Sequence, residues 1–210
     1  ADARPLGAAH GVTLRDVFRA RSRLPHGIGH SPIVRADWLD EAAGTAVWFK
    51  DETVSPTSAF KIRGATNAIA ALDADARSKG VITVSTGNHG RAVAYAAAAA
   101  GVRAIVCLSE LVPEYRREAI RRLGGDVRVV GRNQDEAEEE AQRLADNESL
   151  TLVPPFDDPL IVAGQATIGL ELAEALPDIA TVLVGLSGGG LAGGIALALK
   201  SINPDVRIIG

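Results

Sequence analysis

The sequence predicts an α/β fold of parallel sheets with helices on both faces. Short runs rich in β-branched residues alternate with helix-length segments rich in Ala, Glu and Arg. Alternation of this regularity is typical of parallel strands joined by crossover helices. With 210 residues, 47% of them hydrophobic and 23% charged, the chain can bury a core, and its composition excludes a disordered protein.

The predicted elements follow one another with little linker between them. The β-rich runs are 46–50, 81–84, 104–108, 127–130, 150–153, 181–185 and 206–209. The Ala/Glu/Arg-rich helical segments are 59–72, 89–100, 113–123, 134–147, 161–176 and 191–200; Pro113 fits the first turn of its helix and Gly124 fits its stop. The first 45 residues, which contain Pro5, Pro25 and Pro32, are predicted to be irregular.

Charge and cysteine content narrow the function classes. The 22 basic and 26 acidic residues give a net charge of −4, which argues against nucleic acid or an anionic membrane as a partner. The single cysteine, Cys107, excludes an internal disulfide and an all-cysteine metal site, and favours a cytoplasmic location. Residues 179–199 carry no charge, but their glycines predict a strand, a loop and a helix start rather than a membrane span.

The first chemically informative stretch is SPTSAFKIRGA, in which Lys61 begins a predicted helix after a loop of small residues. The partial positive charge of a helix N-terminus favours the neutral amine, which is the form that a nucleophile or Schiff-base lysine needs. An ordinary surface lysine is the alternative.

A second stretch, STGNHGR, lies between a predicted strand and a predicted helix. Its hydroxyls, its amide and its backbone N–H groups would converge at a helix N-terminus and suit a carboxylate or a phosphate. A tight turn capped by Thr86 or Asn88 is the alternative.

A third stretch, GLSGGGLAGG, follows strand 181–185. Consecutive glycines allow several N–H groups to point at one anion, which favours phosphate binding. Gly188, Gly190 and Gly193 also match a dinucleotide fingerprint, but the acidic residue that such a fold needs is badly placed, because Asp205 opens the next strand. A fourth stretch, PPFDDPLIVAGQATIGLE, predicts a crossover between domains and has no spacing that specifies a metal.

Taken in order, SAFKIRGA, STGNHGRA, PPFDDPLIVAGQATIGLE and GLSGGGLAGG resemble the pyridoxal-phosphate enzymes of the threonine dehydratase and serine racemase family, which have a two-domain tryptophan-synthase-β-like fold (fold type II). The resemblance runs from Ser31 to Gly210, and its nearest subgroup is the hydroxyectoine-utilisation dehydratase branch. It implies a large cofactor-binding domain made of residues 1–78 and 156–210, and a small domain made of residues 79–155. A homodimer is the family expectation.

The resemblance also implies the site. Lys61 and Thr86 would be catalytic, Lys61 as the lysine that forms the aldimine and takes the α-proton. The residues implied to bind pyridoxal phosphate are Phe60, Lys61, Asn88, Ser187, Gly188, Gly189, Gly190 and Leu191. The residues implied to bind the substrate carboxylate are Ser85, Thr86, Asn88 and His89; no metal ligand is implied within this chain.

The implied reaction is the conversion of a β-hydroxy amino acid, such as threonine or serine, to a 2-keto acid and ammonia. Racemases of the family carry a serine as second base at the position of Thr86, so racemisation is an alternative. Alternatives of other classes are a nicotinamide-dependent oxidoreductase built on the Gly188 loop, and a non-catalytic binding fragment.

The chain ends at a predicted strand, where ligand loops of α/β folds begin, so the sequence predicts a C-terminally truncated chain. The resemblance implies that the remaining third of the family domain supplies the partner of the pyridine nitrogen and an acidic ligand for a monovalent or divalent cation.

Overall fold

A computed structural model describes residues 11–85 and 87–210. Its helices and strands alternate along most of the chain, and a 3-10 turn at Asp37–Leu39 precedes the second helix. The elements are α1 (Leu14–Arg23), β1 (Ile33–Arg35), α2 (Asp40–Ala43), β2 (Trp48–Lys50), α3 (Lys61–Ala70), α4 (Ala74–Lys79), β3 (Val81–Val84), α5 (Asn88–Ala99), β4 (Ala104–Leu108), α6 (Glu114–Arg122), β5 (Asp126–Val129), α7 (Gln134–Glu148), β6 (Thr151–Leu152), α8 (Pro159–Ala175), β7 (Thr181–Leu183), α9 (Gly190–Ile202) and β8 (Arg207–Ile209).

A four-stranded parallel sheet in the order β5-β4-β3-β6 forms the centre of the part between residues 79 and 155. Strands β3 and β4 are buried throughout, which explains why their sequences are apolar apart from Thr83. Ala137, Ala141 and Ala145 of α7 cover one face of the sheet, while α5 and α6 cover the other. The predicted α/β class, with parallel strands and helices on both faces, is therefore confirmed; the domain boundaries at residues 79 and 155 stay a prediction.

Helices α3, α8 and α9 pack closely because small residues lie where they touch. Helices α3 and α8 cross at Gly64 and Gly164, where a methyl group added to Gly164 would stand 2.8 Å from the Arg63 carbonyl oxygen. At the contact between α8 and α9, one added to Gly194 would stand 2.8 Å from the Val162 carbonyl oxygen. These close approaches fix α3, and with it Lys61, relative to α8.

The prediction of irregular chain is wrong for residues 11–45, and residues 1–10, with Pro5, lie outside the described residues. Helix α1 begins with a capping box between Thr13 and Asp16, and it buries Val17 and Ala20. Strands β1 and β2 form an antiparallel pair rather than part of a parallel sheet. Pro25 and Pro32 lie between these elements, so they do not interrupt them.

The uncharged stretch at residues 179–199 folds as β7, a glycine loop and the start of α9. Across residues 11–85 and 87–210, the helices are too short or too polar to cross a membrane. The Cys107 thiol lies in the core, where burial raises its pKa to about 11.

A buried ion cluster ties α3 to α8 and to the segment after β2. The Arg63 guanidinium is fully buried and pairs with the carboxylates of Glu52 and Glu171. Lys50 donates to the same Glu171 carboxylate at 2.5 Å, and Thr167 accepts from Arg63 at 3.1 Å. Burial raises the pKa of Glu171, but the bonds from Arg63 outweigh it and the net pKa is lowered. The cluster therefore stays ionised and holds three segments together.

Replacing Arg63 with methionine should destabilise the fold strongly. Two largely buried carboxylates would lose their shared partner, which typically costs about 3–5 kcal/mol of unfolding free energy. Urea unfolding of Arg63→Met and of Arg143→Met measures this cost, because Arg143 pairs with Glu140 at the surface, where no comparable loss is expected. Equal unfolding free energies for the two variants would contradict the prediction.

Candidate active site

Lys61 is the first residue of α3, and its side chain is half-buried. Its Nζ atom donates to the Pro155 carbonyl oxygen at 2.5 Å and lies 5.4 Å and 5.9 Å from the ring centroids of Phe60 and Phe156. Burial lowers the pKa of the Lys61 amine. A larger fraction of neutral, nucleophilic amine is therefore present at Lys61 than at a solvated lysine.

The second predicted stretch leads into α5. Ser85 follows β3 and its Oγ accepts from the Gly87 N–H at 3.3 Å, while Asn88 is exposed as the first helical residue. Gly87 occupies the N-cap position, and among the described residues no side chain caps this helix, so the alternative of capping by Asn88 is wrong. Thr86, the other residue of that alternative, lies outside the described residues. The N–H groups at the start of α5 are the groups that could bind an anion here.

The glycine loop precedes α9. Ser187 has a φ of 45° and Gly189, the N-cap residue, has a φ of 85°, so the chain turns sharply before the helix begins at Gly190. Within the described part of the chain, no side chain caps α9, and the space beside Gly189 is open. Leu191 is partly buried in the first turn. Exposed backbone N–H groups at a helix start form an anion-binding site.

Three other helix starts are capped by side chains. Asp73, Asn133 and Asp158 accept hydrogen bonds from the first turns of α4, α7 and α8. Among residues 11–85 and 87–210, no side chain caps the helices that begin at Lys61, Asn88 and Gly190, and the same is true of α2 and α6. A missing side-chain cap therefore does not by itself mark an anion site, and the three predicted motifs are distinguished by where their helices start.

The crossover between β6 and α8, residues 153–156, connects the three motifs. Its Pro155 carbonyl accepts from Lys61, and its Val153 carbonyl oxygen lies 3.0 Å from Nε2 of His89. Phe156 packs on the glycine loop so closely that a methyl group added to Gly190 would stand 2.8 Å from the Phe156 carbonyl oxygen. One short segment of chain is therefore in contact with Lys61, with the start of α5 and with the glycine loop.

His89 is almost fully buried, with 2% of its surface exposed. Burial lowers the pKa of its imidazole to about 4, the bond to Val153 opposes this, and the Lys61 charge adds to the lowering. His89 is thus neutral near pH 7.

A comparison with protein families assigns the chain. The family described as "Pyridoxal-phosphate dependent enzyme" matches residues 24–210. The chain belongs to this family of pyridoxal-phosphate dependent enzymes.

Relatives of this pyridoxal-phosphate dependent enzyme agree with the assignment. It is 51% identical to a Sinorhizobium fredii protein named as a threonine dehydratase, over 95% of this chain and 60% of that protein. It is 39% identical to an L-threonine ammonia-lyase of Thermotoga maritima, over 95% of this chain and 50% of that protein. The structure of maize serine racemase superposes with a TM-score of 0.90 at 35% identity, over 95% of this chain and 60% of the other. The chain thus spans about half to three-fifths of these relatives' lengths.

The residues present fit the cofactor of the family. Pyridoxal phosphate offers an aldehyde and a phosphate, and the site offers a lysine of lowered pKa and an uncapped glycine loop. Gly188 and Gly190 have no space for a side chain, because Phe156 fills it, so these two positions can present backbone only. Phe60, Asn88 and Ser187 are positioned at the starts of the same helices, although their individual roles stay predictions.

Sequence reasoning missed the crossover as part of the site. Val153, Pro155 and Phe156 contribute two carbonyl oxygens and a ring, and the sequence indicated only a domain crossover at this place. Backbone carbonyl groups carry no residue-specific signal, so only the proline-rich sequence PPFDDP marks the segment.

The lowered pKa of His89 predicts that the free energy of unfolding decreases as the pH falls. The unfolded imidazole binds a proton near pH 6.5 and the folded one near pH 4, so this stabilisation is complete above pH 6.5 and is lost as the pH falls towards 4. The loss amounts to about 3 kcal/mol. Urea unfolding at pH 7.5, 6 and 5 should show a smaller decline for His89→Gln, which cannot titrate. Parallel pH profiles for the two proteins would contradict the assignment.

Proposed function

We propose that the protein is a pyridoxal-phosphate-dependent ammonia-lyase that converts a β-hydroxy amino acid, such as threonine or serine, to a 2-keto acid and ammonia. The observation that carries the proposal is the meeting of Lys61, the start of α5 and the glycine loop along the 153–156 crossover. An amine and two anion sites are what an amino acid and a phosphorylated aldehyde require. The relatives named as threonine dehydratase and L-threonine ammonia-lyase support the same reaction class.

The cofactor, when bound, supplies an electron sink for the pair left at the substrate α-carbon. Lys61 Nζ accepts the α-proton, for which its lowered pKa prepares it. Loss of the β-hydroxyl as water, followed by hydrolysis, gives the keto acid and ammonia. The net reaction neither consumes nor releases an oxidant.

The anion sites orient the reactants. The N–H groups at the start of α9, with Ser187 beside them, hold the phosphate. The backbone N–H groups at the start of α5, with Ser85, Thr86 and Asn88 beside them, hold the substrate carboxylate. His89 belongs to the same stretch, but its side chain is buried and bonded to the Val153 carbonyl oxygen. Fixing both ends of the reacting system directs the α-hydrogen at Lys61, and correct orientation of this kind contributes much of an enzyme's rate.

Racemisation of the amino acid is the second candidate function. Its specific support is the likeness to serine racemases, at a TM-score of 0.90 for the maize structure and 37% sequence identity for the Oryza sativa protein. Thr86 would then supply the second base. D-serine formed from L-serine distinguishes this activity from elimination.

The test is product analysis with L-threonine and L-serine in the presence of pyridoxal phosphate. A lactate dehydrogenase couple detects the keto acid, an ammonia assay detects the second product, and chiral chromatography detects a D-amino acid. Because the chain spans about 60% of its relatives, the whole protein is assayed beside this chain. Keto acid and ammonia in equal amounts support the lyase, whereas absence of both products from the whole protein contradicts it.

Some finer assignments also remain proposals. They are the hydroxyectoine-utilisation branch, a homodimer, a cytoplasmic location and a cation held by ligands outside this chain.

A further inference from the structure

The His89 side chain has a role that the proposed reaction does not assign. It lies in the first turn of α5, beside the stretch expected to bind the substrate carboxylate, yet its ring is turned into the protein and is 2% exposed. Its Nε2 atom lies 3.0 Å from the Val153 carbonyl oxygen. Binding of the carboxylate is therefore left to backbone N–H groups and to exposed neighbours such as Asn88.

The partner of Nε2 determines the form of the ring. A carbonyl oxygen can only accept, so Nε2 carries the hydrogen. Nδ1 is buried and has no hydrogen-bond partner in the described part of the chain. A second proton on Nδ1 would create an unsatisfied buried donor beside the positive charge of Lys61. The neutral Nε2–H tautomer is thus the form that fits this site.

The bond fixes the segment on which Lys61 rests. The Val153 carbonyl oxygen accepts hydrogen bonds from two side chains, Nε2 of His89 in α5 and, at 2.7 Å, the hydroxyl of Thr83 in β3. Two residues further along the chain, the Pro155 carbonyl oxygen accepts a hydrogen bond from Nζ of Lys61 in α3. Pro154 and Pro155 have no N–H group that could form a hydrogen bond. The hydrogen-bonded Val153 carbonyl is therefore the backbone group that holds the chain in place just before the Pro155 carbonyl, which accepts from Lys61.

We propose that His89 is a positioning residue for Lys61: as a neutral imidazole that donates from Nε2 to the Val153 carbonyl, it holds the crossover against which the lysine is packed. The groups that face the ring are Lys61 of α3, the Thr83 hydroxyl of β3 and the Val153 carbonyl of the crossover. Its importance for catalysis rests on the proposed function, but the positioning itself is a property of the chain alone.

The first measurement is long-range ¹H–¹⁵N NMR of the histidine rings in the protein without added cofactor. His89, assigned through its loss in His89→Gln, should show a protonated Nε2 and an unprotonated Nδ1 from pH 8 down to pH 5. An Nδ1–H tautomer or an imidazolium at pH 7 would overturn the proposal. The other histidines of the chain serve as internal references.

The second measurement compares variants that keep or remove the Nε2 donor. The amide nitrogen of His89→Gln can reach the place of Nε2, whereas the shorter side chain of His89→Asn places its amide near Nδ1. Trace acetylation with limiting acetic anhydride, followed by peptide mass spectrometry, gives the reactivity of each lysine as a function of pH. Lys200 is the internal control, because it also donates to a proline carbonyl, that of Pro204, but at the surface.

In wild type and His89→Gln, the pH at which Lys61 becomes reactive should be the same. In His89→Asn the crossover loosens, water reaches Nζ, and the Lys61 pKa rises towards that of a solvated lysine. The Lys61 acetylation rate at pH 8 then falls relative to that of Lys200, and the pH at which Lys61 becomes reactive moves upward. Lys200 should react equally in all three proteins. A purely structural role would lower thermal stability without changing the pH at which Lys61 reacts.

A second matched pair keeps the proposal falsifiable if a His89 variant does not fold. Thr83→Val removes the other donor to Val153 at constant shape, and Thr83→Ser keeps the hydroxyl. Thr83→Val should change Lys61 reactivity in the same direction as His89→Asn. Unchanged Lys61 titration in a folded donor-less variant overturns the inference. Since none of these measurements uses the cofactor or turnover, failure of the lyase proposal and failure of this one are separate results.

Discussion

Replacing Lys61 with alanine should abolish turnover while leaving the fold intact. The side chain makes one hydrogen bond, to Pro155, and stands at the open start of α3, so its removal costs little stability. Without its amine no group can take the α-proton at that place, and we expect the turnover rate to fall by at least about a thousandfold. Keto-acid formation from L-threonine and L-serine measures the loss, with circular dichroism to check the fold.

Two controls separate chemistry from charge. Lys61→Arg keeps a cation of similar length but no nucleophilic amine, so it should be as inactive as the alanine variant. Lys79→Ala removes a surface lysine that pairs with Asp75, and it should keep wild-type turnover. Borohydride reduction with pyridoxal phosphate, followed by peptide mapping, should label Lys61 in wild type and in Lys79→Ala. Wild-type turnover by Lys61→Ala would refute the mechanism.

The local sequence pattern was sufficient to predict the elements whose surroundings are the same along their whole length. The bounds of β3 and β4 are those predicted, because both strands are buried along their whole length and their sequences are apolar apart from Thr83. Helix α1 shows the opposite case, since only Thr13, Asp16 and a few apolar residues mark it among glycines and prolines. The glycines and prolines around α1 favoured a prediction of irregular chain over the capping residues that mark a helix, and the prediction for this element was wrong.

The motifs were predictable individually and through their family resemblance, but their meeting point was not. Lys61 and Pro155 are 94 positions apart, and His89 and Val153 are 64 apart. Both bonds end on backbone carbonyl groups, which every residue has. The pairing of Arg63 with Glu171 across 108 positions is likewise a product of the fold, because helix packing at Gly64 and Gly164 sets it. Residue type thus indicated the chemistry, while tertiary packing determined which atoms meet.

Replacing Gly189 with valine should weaken binding of pyridoxal phosphate. Gly189 has a φ of 85°, where a residue with a side chain is strained by about 1–2 kcal/mol, and a β-branched one is especially unfavourable. Relief of that strain would turn the first N–H groups of α9 away from the phosphate. We expect the Kd of the cofactor to rise at least about tenfold, measured by absorbance titration in the visible range.

Gly101→Val is the matched control for this substitution. Gly101 also has a positive φ, 67°, and also has open space beside it, but it follows the far end of α5 from the site. Both variants should therefore lose similar stability in urea unfolding, whereas only Gly189→Val should lose cofactor affinity. The comparison removes backbone strain from the interpretation and leaves the position of the N–H groups as the difference. Equal cofactor affinity in Gly189→Val, Gly101→Val and wild type would mean that the start of α9 does not hold the phosphate, which would then have to bind elsewhere in the protein.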